Sequence, residues 1–269
     1  MQPREAKQAM YSEPMKSVSW SSMVAPLMKL GRDGEVAAFI GTGFIPAVSE
    51  TVFITARHVI ESNPLAEGEK YYIYFQADDG SEIQKGASGD GVMLSTRYDV
   101  AAIPIGEVPG VRALYLDPTE IPMNEKVVCR EYSGNYFRAH DGGKRTAVFH
   151  PRTHVGNVMS WYTSKYPEKY PAPSVELSFP ALQGASGAPV IRDYGLHVIA
   201  MLVANVEQEL TPAQVLSVHR DEECLLEEVR YFLPVGKGLR SSAIIEFLEQ
   251  ECGIRCTEPP PLHLQGEVL

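Results

Sequence analysis

The chain has 269 residues, 44% of them apolar and 22% charged, with a formal net charge of -10. That composition supports a globular core and argues against nucleic-acid binding, which needs a surplus of cations. No run of 18 apolar residues is present, so a membrane-spanning helix is not expected.

Residues 1–20 form a polar arm without the apolar core of a secretory signal, which predicts a cytoplasmic protein. Cys129, Cys224, Cys252 and Cys256 are too few and too scattered for a disulfide framework. Cys252 and Cys256 lack partners for a zinc site, so no metal is expected.

Residues 21–105 read as one β-barrel. Met23–Leu30 is strand-like, Gly31-Arg32-Asp33-Gly34 is a hairpin turn, and the return strand from Glu35 runs into Gly41-Thr42-Gly43-Phe44. Thr51–Ala56 is β-branched and apolar, as a buried strand should be, and it ends at Arg57-His58-Val59. Lys70–Ala77 alternates, Gly91–Ser95 is short, and Asp99 heads the apolar strand Val100–Ile105. Six strands at this spacing suit a small barrel.

Residues 106–125, with three prolines, read as a connector. Residues 126–240 hold a second set of strands: 126–132, 145–150, 155–161, 174–179, 189–191, 197–204 and 229–235. Within it, Tyr162–Pro173 reads as a surface loop, and the acidic stretch 207–228 as an inserted, solvated charged loop. Residues 241–253 predict a helix capped by Ser241 or Ser242 and ended by Gly253. Residues 254–269 form a Pro-containing tail, expected to be disordered from Thr257 on.

Chemistry concentrates at Gly184-Ala185-Ser186-Gly187-Ala188-Pro189. Two glycines and a proline favour a tight loop, and the loop offers one hydroxyl with little bulk beside it. The backbone N–H groups of Gly184 and Ser186 are candidates for an oxyanion hole. A serine nucleophile needs a base, and the base needs an orienting group. His58 and Asp99 precede Ser186 in the chain order His, Asp, Ser. Other histidines (His140, His150, His154, His197, His219, His263) lack such a motif, and Asp78, Asp79 and Asp90 lie in turns. The stretch also approximates the G-x-S-x-G elbow of esterases. Pro189 and the β-branched run after it oppose the helix which that fold requires.

The order and three local motifs resemble the trypsin-like, chymotrypsin-fold serine proteases. The motifs are Thr55-Ala56-Arg57-His58-Val59, Asp99-Val100-Ala101-Ala102-Ile103 and the Ser186 loop. Gly41–Phe44, Val198–Met201 and Tyr231–Pro234 make the chain more similar to bacterial HtrA-like and stand-alone peptidases, without the PDZ domain that the HtrA group usually carries. The resemblance implies an all-β fold of two six-stranded antiparallel barrels with a C-terminal α-helix. It implies an endopeptidase acting on a protein or peptide through an acyl-enzyme, with His58, Asp99 and Ser186 as the triad and no cofactor. The pocket beside the scissile bond falls by resemblance at 180–183 and 203–206, which gives Gln183, Val203, Ala204 and Asn205 as substrate-binding candidates. No acid stands in either segment, so a small or medium apolar side chain is expected there. Ala185 replaces the aspartate of secreted zymogens, so ordering of the loop by a partner, a ligand or self-assembly is the expected route of any regulation. The competing expectation is a latent or inactive protease-fold scaffold.

Overall fold

The computed structural model describes residues 20–120, 122–139, 145–164, 172–192, 195–220 and 223–260. The predicted arm up to residue 19, His140, His263 and the last nine residues of the tail lie outside them.

The first half is a curled antiparallel sheet of seven strands, in the order β5-β4-β1-β2-β3-β7-β6. The strands are β1 (Val24–Leu30), β2 (Val36–Phe44), β3 (Val52–Thr55), β4 (Lys70–Gln76), β5 (Glu82–Ala87), β6 (Met93–Leu94) and β7 (Ala101–Pro104). The hairpin turn is as expected: Gly31 N–H donates to the Glu35 carbonyl at 2.8 Å, and Glu35 N–H to Asp33 Oδ1 at 3.1 Å. In this half the strand missed in sequence is β5. Its Glu-Ile-Gln-Lys pattern is mostly polar because it is an outer strand of the sheet, paired among the described residues with β4 alone. Phe53 and Phe75 meet edge to face in the core, with ring centroids 6.0 Å apart.

The connector contributes β8 (Tyr115–Leu116), which pairs in parallel with a strand of the second half. That half contains β9 (Lys126–Glu131), β12 (Arg152–Ser164), β13 (Ala172–Leu177), β14 (Pro189–Arg192), β15 (His197–Arg220) and β16 (Glu223–Arg240). Between the first two, β10 (Tyr136–Ala139) and β11 (Arg145–Val148) form a separate hairpin. The main strands run β14-β9-β12-β13-β16-β15, and β15 pairs back onto β14. The second sheet therefore closes into a six-stranded barrel, whereas the first stays an open half-barrel. The architecture is all-β and chymotrypsin-like, as expected from the sequence.

Two loops of the sequence reading are corrected. Strands β12 and β13 extend through Ser164 and from Ala172, so both ends of the expected 162–173 loop are paired. The acidic stretch 207–228 is no loop. It prolongs β15 and β16 into one hairpin, paired from Ala200 with Arg240 out to Arg220 with Glu223. Its acidic composition suggested solvent, yet ladder hydrogen bonding does not require apolar side chains. Pro212 falls where the register slips between Leu210 and Gln214, the kind of position a strand proline tolerates.

After β16, α2 (Ser241–Glu246) continues into a π-helical turn at Phe247–Glu251. Neither serine caps it: the helix is capped at Arg240 without a side-chain bond, and Ser241 Oγ donates instead to the Val198 carbonyl at 2.5 Å. Gly253 ends it as expected, with φ of 71° and Ile254 N–H bonded to the Leu248 carbonyl at 2.8 Å. The start of the tail is ordered. Ser49 N–H donates to the Arg255 carbonyl and Thr257 N–H to the Ala47 carbonyl, both at 2.9 Å, which staples the C-terminus onto the first half.

Candidate active site

His58 lies in the first turn of α1 (Arg57–Glu61), just past β3. A helix start leaves backbone N–H groups without intrahelical acceptors. Ala56, at the N-cap, offers no side-chain bond. Asp99 supplies one from across the sheet: Oδ1 accepts from His58 N–H at 2.9 Å, and Oδ2 lies 2.7 Å from His58 Nδ1. One carboxylate thus fixes both the backbone and the ring of His58. Burial alone would push the imidazole pKa down. The Asp99 hydrogen bond and charge, with a smaller contribution from Glu61, outweigh it and hold the pKa above its ordinary 6.5.

The turn that leads into Asp99 is held from the C-terminal helix. Glu251 accepts from Ser95 Oγ and Thr96 N–H, both at 2.7 Å, and from Thr96 Oγ1 at 3.0 Å. Glu246 accepts from Tyr98 Oη at 2.7 Å and pairs with Arg97. Burial and the Glu246 bond push the Tyr98 phenol up to about 12. The rival acids do other work. Asp78 accepts from Ser22 Oγ and Arg112 Nε, and Asp79 closes its turn on Ser81. Of the other histidines, His154 bonds the buried Glu131, His197 bonds Asp117, and His150 stacks on Tyr136.

The Ser186 loop is tied to β2 by Thr42. Thr42 N–H donates to the Ser186 carbonyl at 3.0 Å, and Thr42 Oγ1 donates to the Gly184 carbonyl at 2.8 Å. The same hydroxyl accepts from Tyr132 N–H at 3.1 Å, and the Thr42 carbonyl accepts from Thr55 Oγ1 at 2.7 Å. With its two carbonyls drawn towards β2, the loop has backbone N–H groups to spare. Among the described residues, neither the Gly184 nor the Ser186 N–H donates to a protein acceptor. Gly184 has φ of 91°, a conformation that L side chains rarely adopt. Ala185 is fully buried, with no charge to pair.

The expected residues come together unevenly. His58 and Asp99 are in direct contact. The Ser186 loop packs beside them: the space at Gly41 is bounded by Val59 and the Ser186 carbonyl, and that at Gly187 by Thr42 and Thr55. The Ser186 hydroxyl, however, points at the Val203 carbonyl, 3.4 Å away, and is not bonded to His58. Of the pocket candidates, Gln183 is exposed, Val203 is buried, Ala204 is half-buried, and Asn205 is bonded to the backbone of Ala181. Sequence reasoning missed Thr42, Glu246 and Glu251. Thr42 stood inside a motif already noticed, but its partners lie far along the chain.

The trypsin-like peptidase domain family matches residues 41–201, a span that includes His58, Asp99 and Ser186. No curated protein matches the chain. Among solved structures, the active form of the Rv3671c protease from M. tuberculosis aligns with a TM-score of 0.53 at 18% identity, over 90% of this chain and 85% of that one. Its inactive form aligns at 0.50 and 17%, over 86% and 89%. The crystal structure of Deg5 aligns at 0.52 and 14%, over 69% and 80%. At these identities the structures speak for the fold, while the family match covers more than half of the chain. This chain therefore belongs to the trypsin-like peptidase domain family, and the protein is a trypsin-like serine protease.

Proposed function

We propose that the protein is an endopeptidase that cleaves a protein substrate through a Ser186–His58–Asp99 triad and an acyl-enzyme. The observation that carries this reading is the double grip of Asp99 on His58, at 2.9 Å to the backbone and 2.7 Å to the ring. With Nδ1–H held by Asp99, Nε2 is left as the basic nitrogen. The reaction requires Ser186 Oγ to turn from the Val203 carbonyl towards Nε2. Oγ then bonds the scissile carbonyl carbon as its proton passes to Nε2. The carbonyl oxygen becomes an oxyanion held by the Gly184 and Ser186 N–H groups. Collapse breaks the C–N bond, and His58 gives its proton to the leaving amine. Water repeats the sequence in reverse roles and frees the acid.

The substrate is a polypeptide. The free thiols of Cys129, Cys252 and Cys256 are in keeping with a reducing, cytoplasmic setting.

One observation favours a second reading, a protein latent until a partner or self-assembly orders its site: the Ser186 hydroxyl is turned away from His58 in this structure. Unliganded sites are often loose in this way. Labelling by a fluorophosphonate, read by intact mass beside Ser186→Ala, decides between them. A mass shift lost in the variant establishes an active nucleophile in the resting protein. Labelling that appears only in cell lysate identifies a latent enzyme, and none in either setting identifies a scaffold.

A further inference from the structure

A second histidine–carboxylate pair lies at the end of β9. Glu131, the last residue of that strand, is fully buried. A buried carboxylate is costly unless its oxygens are bonded. Oε1 accepts from Ser133 Oγ at 2.8 Å and lies 2.9 Å from His154 Nε2, and Oε2 accepts from Ser133 N–H. A carboxylate only accepts, so Nε2 carries the proton here, whereas His58 uses Nδ1 towards its acid. Arg152 stands opposite Glu131 in the β9–β12 ladder, but it is exposed and, among the described residues, makes no ion pair with it. His154 is thus the outer anchor of this acid. Its own ring stacks on the buried Phe179, with centroids 5.5 Å apart.

The turn that Glu131 holds meets the Ser186 loop. A Cβ at Gly184 would lie 3.3 Å from Ser133 Cα and 3.6 Å from the Tyr132 carbonyl oxygen, so the turn packs directly on that glycine. Between them, Tyr132 N–H donates to the Thr42 hydroxyl, which in turn donates to the Gly184 carbonyl. The 131–133 turn and Gly184 therefore share one hydroxyl and one packing contact. Glu131 fixes the other side of the turn through both donors of Ser133. The loop itself carries no acid at Ala185, yet a buried acid stands in the turn packed against it.

We propose that His154 and Glu131 are positioning residues for the oxyanion hole. The pair sets the 131–133 turn, and the turn sets the Gly184 peptide, whose N–H receives the developing charge. Both residues act through the turn and not on the substrate. Without the His154 proton the buried acid is short of a donor, and relieving that deficit requires the turn to move. The inference rests on the acyl-enzyme reading for the role of Gly184, but the link from His154 to Gly184 can be measured without it.

The test uses the full chain and three variants. His154→Leu removes the donor, and His154→Gln keeps an N–H donor. Glu131→Gln combined with His154→Leu removes the donor without leaving a buried charge. Labelling by a fluorophosphonate, whose phosphoryl oxygen occupies the oxyanion site, is followed against probe concentration. His154→Leu is expected to lower the limiting rate at least tenfold, with the half-saturating concentration within twofold of the parent's. His154→Gln is expected to restore the limiting rate to within threefold. If His154→Leu does not fold, the combined variant takes its place with the same expected loss. The Gly184 amide resonance in proton–nitrogen NMR is the separate check, since it requires no reaction. It is expected to move in His154→Leu and in the combined variant, and to stay near the parent's position in His154→Gln. Both substitutions at His154 lose the ring, so their difference reports the donor. An unchanged limiting rate, a loss confined to the half-saturating concentration, or a His154→Gln variant as slow as His154→Leu overturns the proposal. A parent that does not label sinks the nucleophile reading alone, and the resonance then decides. An unmoved Gly184 amide in the folded donor-less variant rejects the positioning role in either case.

Discussion

The Thr42 hydroxyl donates to the Gly184 carbonyl at 2.8 Å, joining residues 142 positions apart in the chain. Thr42 is fully buried, and it belongs to a strand of the first half while Gly184 belongs to a loop of the second. The bond fixes the peptide that follows Gly184. Thr42 N–H fixes the next carbonyl but one, that of Ser186. A loop without the zymogen's aspartate is thus held from inside the core, where Ala185 has no charge to offer.

Thr42→Val is the direct test, since it keeps the shape and removes the hydroxyl. The Gly184 carbonyl and the Tyr132 N–H both lose a partner, and the expected loss of stability is about 2 kcal/mol. On the proposed mechanism the catalytic effect is larger than the binding effect. We expect kcat to fall by about 10²-fold with KM little changed, as when one oxyanion donor is misplaced. Thr42→Ser is expected to restore kcat to within a few-fold. A Ser variant as slow as the Val variant rules out the hydroxyl as the holding group.

On the proposed mechanism the raised His58 pKa sets the acid limb of activity. Catalysis requires the neutral imidazole, so the rate of phosphonate labelling should rise through a midpoint above 6.5. Asp99→Asn removes the main cause of the shift, and its midpoint should fall below the parent's, with kcat reduced by about 10⁴-fold. The stability linkage has the opposite sense. A histidine whose folded pKa is raised contributes stability in full below 6.5, and that contribution disappears as pH rises through the folded pKa. A parental midpoint at or below 6.5 contradicts this account.

Gly187→Ala should damage the fold itself. Gly187 has φ of 94°, and an added Cβ would lie 2.0 Å from the Thr42 carbonyl oxygen and 2.4 Å from Thr55 Oγ1. Left-handed strain and overpacking together are worth about 3 kcal/mol. Denaturant unfolding checks it, and a variant within 1 kcal/mol of the parent, by the same scale, shows that the loop relaxes.

Glu251 offers a longer-range test. Glu251→Ala frees Ser95 and Thr96, the start of the turn that delivers Asp99. A displaced orienting group is expected to cost about tenfold in kcat. Amide exchange at Thr96 should quicken in the same variant. Glu251→Gln keeps an acceptor for Thr96 N–H and should lie between the two. Unchanged exchange in Glu251→Ala would mean that the helix does not hold this turn.

The sequence by itself determined the all-β class, most of the strands, and the motifs at His58, Asp99 and Ser186. These rest on local chemistry: β-branched runs, turn glycines, and a small-residue loop around one hydroxyl. It also singled out Asp99 over Asp78, Asp79 and Asp90, because those three stood in turns. It misread the acidic stretch 207–228, since a ladder between β15 and β16 depends on backbone pairing and not on the polarity that marks a loop. It also misjudged Ser241, whose hydroxyl turns to the Val198 carbonyl and not to its own helix. Only the tertiary structure decided which groups position the site. Thr42 reaches Gly184, Glu251 reaches Thr96, and Asn205 reaches Ala181, each across a separation that no local pattern encodes. A hydrogen bond between distant residues becomes defined only when the two sheets and the C-terminal helix pack, because only packing fixes both ends of it at once.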